Sequence, residues 1–188
     1  VCAAGEWRPY TEGDKELPPT DIVFERFGYD VEEAHRFGMN PKGYCSFLDN
    51  TKGAIEMCVV ANATGLGAPE GGLHYYPAGY ADLPHILKPK ADVGKLSHFG
   101  VMEVCAPNYP DKGVSAPVPG AFRAGMYVVM HTDGRPMTKD AVIKAWYPTD
   151  DTHQYSAYML PVHGIGLELG VSAAGSGRRR CRHFRSTK

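Results

Sequence analysis

Asp49-Asn50-Thr51-Lys52-Gly53-Ala54-Ile55-Glu56-Met57-Cys58-Val59-Val60-Ala61-Asn62-Ala63-Thr64-Gly65 is the stretch on which the reading of this chain turns. Asp49, Asn50 and Thr51 are all capping residue types, and Gly65 is a stop signal of the usual kind. Between them lies an apolar run of helical length. A helix that is apolar almost all round belongs in a core. Lys52 and Glu56 break that pattern, and a spacing of four places them on one face. Charge on a buried helix is costly unless it is paired or used. The segment is therefore read as a buried helix carrying a candidate site.

The rest of the composition sets bounds. The chain has 188 residues, enough for one domain with a hydrophobic core. Apolar residues make up 43% and charged ones 22%, as in soluble globular proteins. A net charge of −1 gives no global pull toward nucleic acid, and no apolar run is long enough to span a bilayer. Cys2, Cys45, Cys58, Cys105 and Cys181 are odd in number and scattered. They predict free thiols and a reducing, intracellular compartment rather than secretion. Asn62-Ala63-Thr64 matches a glycosylation sequon, but its place at a helix end and the lack of a signal peptide argue against that use.

Residues 1–20 are polar and proline-containing and read as an irregular N-terminal arm, followed by one domain over residues 21–174. Asp30 to Phe37 reads as a short helix, with Asp30 as N-cap and Glu33 at the capping-box position. Leu66 to Leu96 reads as a long, partly ordered connection. His98–Ala106, Phe122–His131 and Tyr155–Val162 read as strands, with Met126 to Met130 the central one. Thr138 is expected to cap a helix through Trp146, with Ala141, Val142, Ala145 and Trp146 on its apolar side. A glycine-containing helix is expected to begin after His163. Residues 175–188 read as a basic, flexible tail, either a solvated segment or, less simply, a dock for an acidic partner or nucleic acid. The fold class is α+β, with one central mixed sheet covered by helices.

Each chemical candidate has a plain alternative. Lys52 and Glu56 are either an exposed ion pair or a site for substrate or metal. Asn62 and Thr64 are helix caps or ligands. His74 lies in a Gly-Gly-Leu-His-Tyr-Tyr loop, where an exposed histidine is commonly inert. His163 sits at a strand-to-helix junction, a place where anions bind. Glu168, five residues on, is paired with a neighbour or belongs to the site. No GxGxxG follows a strand, and there is no GxxxxGK[ST], HExxH or GxSxG.

Two segments together resemble a known family. Phe47-Leu48-Asp49-Asn50-Thr51-Lys52, Ile55-Glu56-Met57 and Asn62-Ala63-Thr64-Gly65-Leu66 resemble a signature of deoxyxylulose-5-phosphate reductoisomerase-like oxidoreductases, also labelled homoserine-dehydrogenase-like. Its approximate form is F-x-D-G-T-K, an apolar helix with Glu, then N-A-T-G-L, and Gly72-Leu73-His74 matches the glycine–histidine loop that follows. Tyr158 to Ser172, containing Pro161-Val162-His163 and Glu168, resembles the family's Pro-Tyr-His and apolar helix with Glu. Gly125 to Val129 fits its glycine-led central strand. Asn50 replaces the usual Gly and Val162 the usual Tyr. The resemblance spans roughly Pro41 to Ala174.

The resemblance implies the catalytic domain of an NADPH-dependent oxidoreductase or reductoisomerase, acting on a small phosphorylated, sugar-like hydroxyketone in isoprenoid-precursor chemistry. In the family a Rossmann domain, not found in this sequence, precedes this region and holds NADPH. A divalent metal is allowed for. Lys52, Glu56 and His163 are the implied catalytic residues, and Thr51, Asn62, Thr64, His74 and Glu168 the substrate-binding ones. The alternative is a non-catalytic descendant serving as a structural subunit among other protein subunits. A nucleic-acid partner is not expected.

Overall fold

A computed structural model describes residues 1–112 and 116–160. In chain order the elements are β1 (Ala3–Trp7), α1 (Ile22–Phe27), α2 (Val31–Arg36), α3 (Pro41–Leu48), α4 (Thr51–Thr64), β2 (Tyr76–Pro77), α5 (Leu83–Ile86), β3 (Val101–Ala106), β4 (Gly125–His131), α6 (Pro136–Lys144) and β5 (Tyr155–Leu160). The strands form one open mixed sheet in the order β2-β3-β1-β4-β5. β1 runs parallel to β3 and antiparallel to β4, and β4 pairs antiparallel with β5. The α+β class expected from the sequence is the observed one.

The irregular arm is not. Residues 3–7 form β1, the middle strand of the sheet, and all five are buried. Ala-Ala-Gly-Glu-Trp has too little apolar alternation to read as a strand. Ladders on both sides form it instead, an instance of tertiary pairing overriding local preference. Gly5 has a specific reason to be there. A Cβ at that position would lie 1.6 Å from the carbonyl oxygen of Glu103 on the paired strand. β4, expected at the centre, lies one place out, and its residues alternate between buried and half-buried as far as Met130.

Alternation along the strands gives the sheet two faces. On one, Ala4, Met102 and Val104 pack with Met57 and Ala61 of α4. On the other, Trp7, Cys105, Tyr127 and Val129 pack with Leu83 and Leu87 from the α5 segment. The Trp7 indole N–H donates to the Ala78 carbonyl at 2.8 Å, which pins the 66–96 connection to this face. That connection is thus ordered along much of its length, holding β2, α5 and short 3₁₀ turns at Tyr80–Asp82 and Lys90–Asp92.

Local signals explain most helix ends. Asp30 Oδ1 accepts from Glu33 N at 2.8 Å, as a helix N-cap should. Gly65 closes α4 at φ 78°, the left-handed conformation that glycine adopts freely. α6 starts at Pro136, two residues before Thr138, and ends at Lys144. Trp146 lies beyond it and is 92% exposed, so it does not join an apolar face.

Candidate functional site

The start of α4 and the end of β1 build the site together. Asn50 precedes the helix at φ 64°, and Asp49 Oδ1 accepts from Thr51 N at 2.8 Å. The left-handed backbone accounts for the glycine that the resembling family carries at position 50. Asparagine is among the few other residues that tolerate it. α4 is apolar nearly all round, yet only one side is buried, through Gly53, Glu56, Met57 and Ala61. Ile55 is 59% exposed, so the helix lies at the domain surface rather than deep in the core.

Glu56 points inward to a charge that the sequence reading did not single out. Glu6 and Arg8 alternate onto the α4 face of β1 and its extension, where Arg8 is 7% exposed. Arg8 Nε and Nη2 donate to Glu6 Oε1 at 2.9 and 2.8 Å, and Nη2 also donates to Glu56 Oε2. Gly53 makes the approach possible, since a Cβ there would lie 2.8 Å from Arg8 Nε. On the outer side, Lys52 Nζ lies 3.6 Å from Glu56 Oε1 and 4.4 Å from the Phe47 ring centroid. The expected Lys52–Glu56 pair is therefore the outer half of a four-member cluster that reaches into the sheet.

Burial pushes the Glu6 carboxyl up from its ordinary 4.5 to about 7; the Arg8 guanidinium opposes that shift, while the Glu56 charge adds to it. The folded chain accordingly keeps a proton on Glu6 between about pH 4.5 and 7 that the unfolded chain has lost. Stability should then fall as pH rises through that window, by at most about 1.4 kcal/mol per pH unit. Glu6→Gln should remove the slope. Denaturant unfolding of both proteins from pH 4.5 to 8 checks this, and parallel stability curves would contradict it.

Two cavities border this region. One, of about 580 Å³, is lined by Arg8, Tyr10, Arg26, Tyr44, Phe47 and Arg123, among others. Arg26 is held by Asp14 at 2.8 Å. Arg123 is exposed and has no ion-pair partner among the described residues. The other cavity, of about 560 Å³, is mostly apolar, with Met57, Ala61, Leu73, Tyr75 and Met102 in its wall and Thr51 and Lys15 beside its polar end. The volumes do not separate them, but the chemistry does. Only the first touches the charged cluster, through Arg8.

The remaining predicted residues are dispersed. Asn62 is exposed, with Nδ2 3.7 Å from Cys58 Sγ. Thr64 Oγ1 donates to the Val60 carbonyl at 2.7 Å and accepts from Leu66 N at 3.3 Å. Thr64 finishes the helix, Asn62 bonds back along it to Cys58, and neither lines a cavity described above. His74 is bound to Glu103, which projects from the sheet face opposite α4, between Met102 and Val104. His163 and Glu168 lie outside the described residues. Among the described residues, no three His, Cys, Asp or Glu side chains are placed to hold a metal ion. No helix among them is long and apolar enough to cross a membrane.

A family model described as "Oxidoreductase DRL, catalytic domain" matches residues 2–169. The chain belongs to this oxidoreductase family. The match begins within the first residues, so the DRL catalytic domain includes β1 and with it Glu6 and Arg8. No curated protein matches the chain.

Proposed function

We propose that this DRL catalytic domain reduces or rearranges a small phosphorylated, sugar-like hydroxyketone, and that the Glu6–Arg8–Glu56–Lys52 cluster is its active centre. The observation that carries the reading is Arg8, buried between two carboxylates, with Lys52 held 3.6 Å from one of them beside an arginine-lined cleft. Lys52 lies over the ring of Phe47, which lines the cleft, and a fixed ammonium beside the cleft favours negative charge growing on a carbonyl oxygen. Glu56 orients Lys52 from below, and Arg8 holds Glu56 in place. Arg123 supplies the cleft with a cation for a phosphate group.

A nicotinamide cofactor, NADPH by family likeness, supplies hydride when bound. The described residues contain no glycine-rich strand-to-helix turn to cradle its pyrophosphate, so none of them is assigned to it. The free thiols of Cys2, Cys45, Cys58 and Cys105 support a reducing compartment.

The test uses the protein in a full-length, NADPH-competent form and follows NADPH oxidation. A phosphorylated hydroxyketone such as 1-deoxy-D-xylulose 5-phosphate should be used with kcat/KM at least tenfold above its unphosphorylated counterpart. Equal use of the two, or use of neither, would contradict the reading.

A further inference from the structure

We propose that His74, Lys90 and Lys95 form a second anion site, for a phosphate monoester, on the sheet face opposite the Lys52–Glu56 cluster. Glu103 anchors it. Its side chain is fully buried, at 0% exposure, and accepts from His74 N at 2.8 Å, His74 Nδ1 at 2.8 Å and Val104 N at 2.9 Å. Burial pushes the Glu103 carboxyl up, and the donors from His74 and Val104 oppose that shift. Because Nδ1 is committed to Glu103, Nε2 is the nitrogen left to face a ligand. The Tyr76 ring stacks on the imidazole at 5.1 Å and 6°, fixing its plane.

The backbone is arranged to the same end. Tyr75 sits at φ 55°, a conformation that bulky residues rarely adopt. That turn sends Tyr75 under α4, stacked 4.8 Å from Tyr10, while His74 goes to the opposite face. Strain of this sort is held where the surroundings demand it.

Across a small cavity of about 40 Å³ stand Lys90 and Lys95. Both are carried on a turn closed by Lys90 N to Leu96 O at 2.8 Å and Leu96 N to Lys88 O at 3.0 Å. Neither lysine has an ion-pair partner among the described residues. Ser97 adds a hydroxyl, and among the described residues lining the cavity Glu70 is the one opposing charge besides Glu103. Lysines act as point charges and suit a tetrahedral group whose oxygens reach separate donors, whereas a planar carboxylate favours the fork of an arginine. The cavity has room for the head group and not for a ligand body. The ester's organic part must therefore project into solvent.

The experiment follows the His74 ring resonances by NMR in the full-length protein. Glycerol 3-phosphate and adenosine 2′-monophosphate are titrated separately, standing for a sugar-phosphate and a nucleotide source. At least one should give a saturable shift, and the responding compound identifies the source. In the double variant Lys90→Met/Lys95→Met the affinity should fall at least tenfold. Both lysines are exposed, and a melting curve verifies that the variant keeps its fold. No saturable shift with either compound, or an affinity unchanged by the double variant, would overturn the proposal.

Discussion

Replacing Arg8 with methionine should cost about 3–5 kcal/mol of stability, the range found when one partner of a buried ion pair is removed. Arg8 is 7% exposed, and its guanidinium lies between Glu6, 1% exposed, and Glu56, 7% exposed. Methionine fills much of the same space but carries no charge. Two carboxyl groups would then face each other with little water to solvate them. At least one must take up a proton, and the donors that held both are gone. Single domains have only about 5–15 kcal/mol in hand, so the loss should be plain in denaturant unfolding. Converting Glu6 and Glu56 to glutamine in the same chain should recover most of it, because the uncompensated charge then disappears. A loss below about 1 kcal/mol for Arg8→Met would mean that the cluster does not hold β1 to α4 as described.

Much of the fold could be read from local chemistry. Asp30 caps α2 through Glu33 N, and Gly65 ends α4, both as their residue types suggest. β3, β4 and β5 lie inside the apolar runs read as strands. What could not be read depends on distant partners. β1 is a strand because β3 and β4 flank it, and nothing within Ala3–Trp7 announces that. Without β1 as a strand there was no reason to place Glu6 and Arg8 on one face, and Arg8 and Glu56 are 48 positions apart in the chain. The alternation Glu6-Trp7-Arg8 was the available clue. α3 was also missed, although Asn40 and Pro41 carry the signal in full. Asn40 Oδ1 caps Lys42 N at 3.0 Å, and Pro41 occupies the first turn. His74, grouped by likeness with the α4 residues, is separated from them by the sheet, since Glu103 holds it on the other face.

Lys52 divides the active-centre reading from the plainer one most cleanly. Its side chain is partly exposed, and its ammonium is 3.6 Å from Glu56 across one helical turn. As an ornament of the surface, such a pair contributes only about 0.3–0.5 kcal/mol. As the cation that meets developing negative charge, it should be worth at least about 1.4 kcal/mol in the transition state, or tenfold in rate. Lys52→Met keeps the stem that covers Phe47 and removes only the charge. Stability and turnover should therefore separate in this variant. The deciding measurement is kcat for Lys52→Met in the full-length, NADPH-competent protein, taken beside its melting temperature. The kcat should fall at least tenfold with the fold intact, and an unchanged kcat would contradict the placing of Lys52 in the active centre.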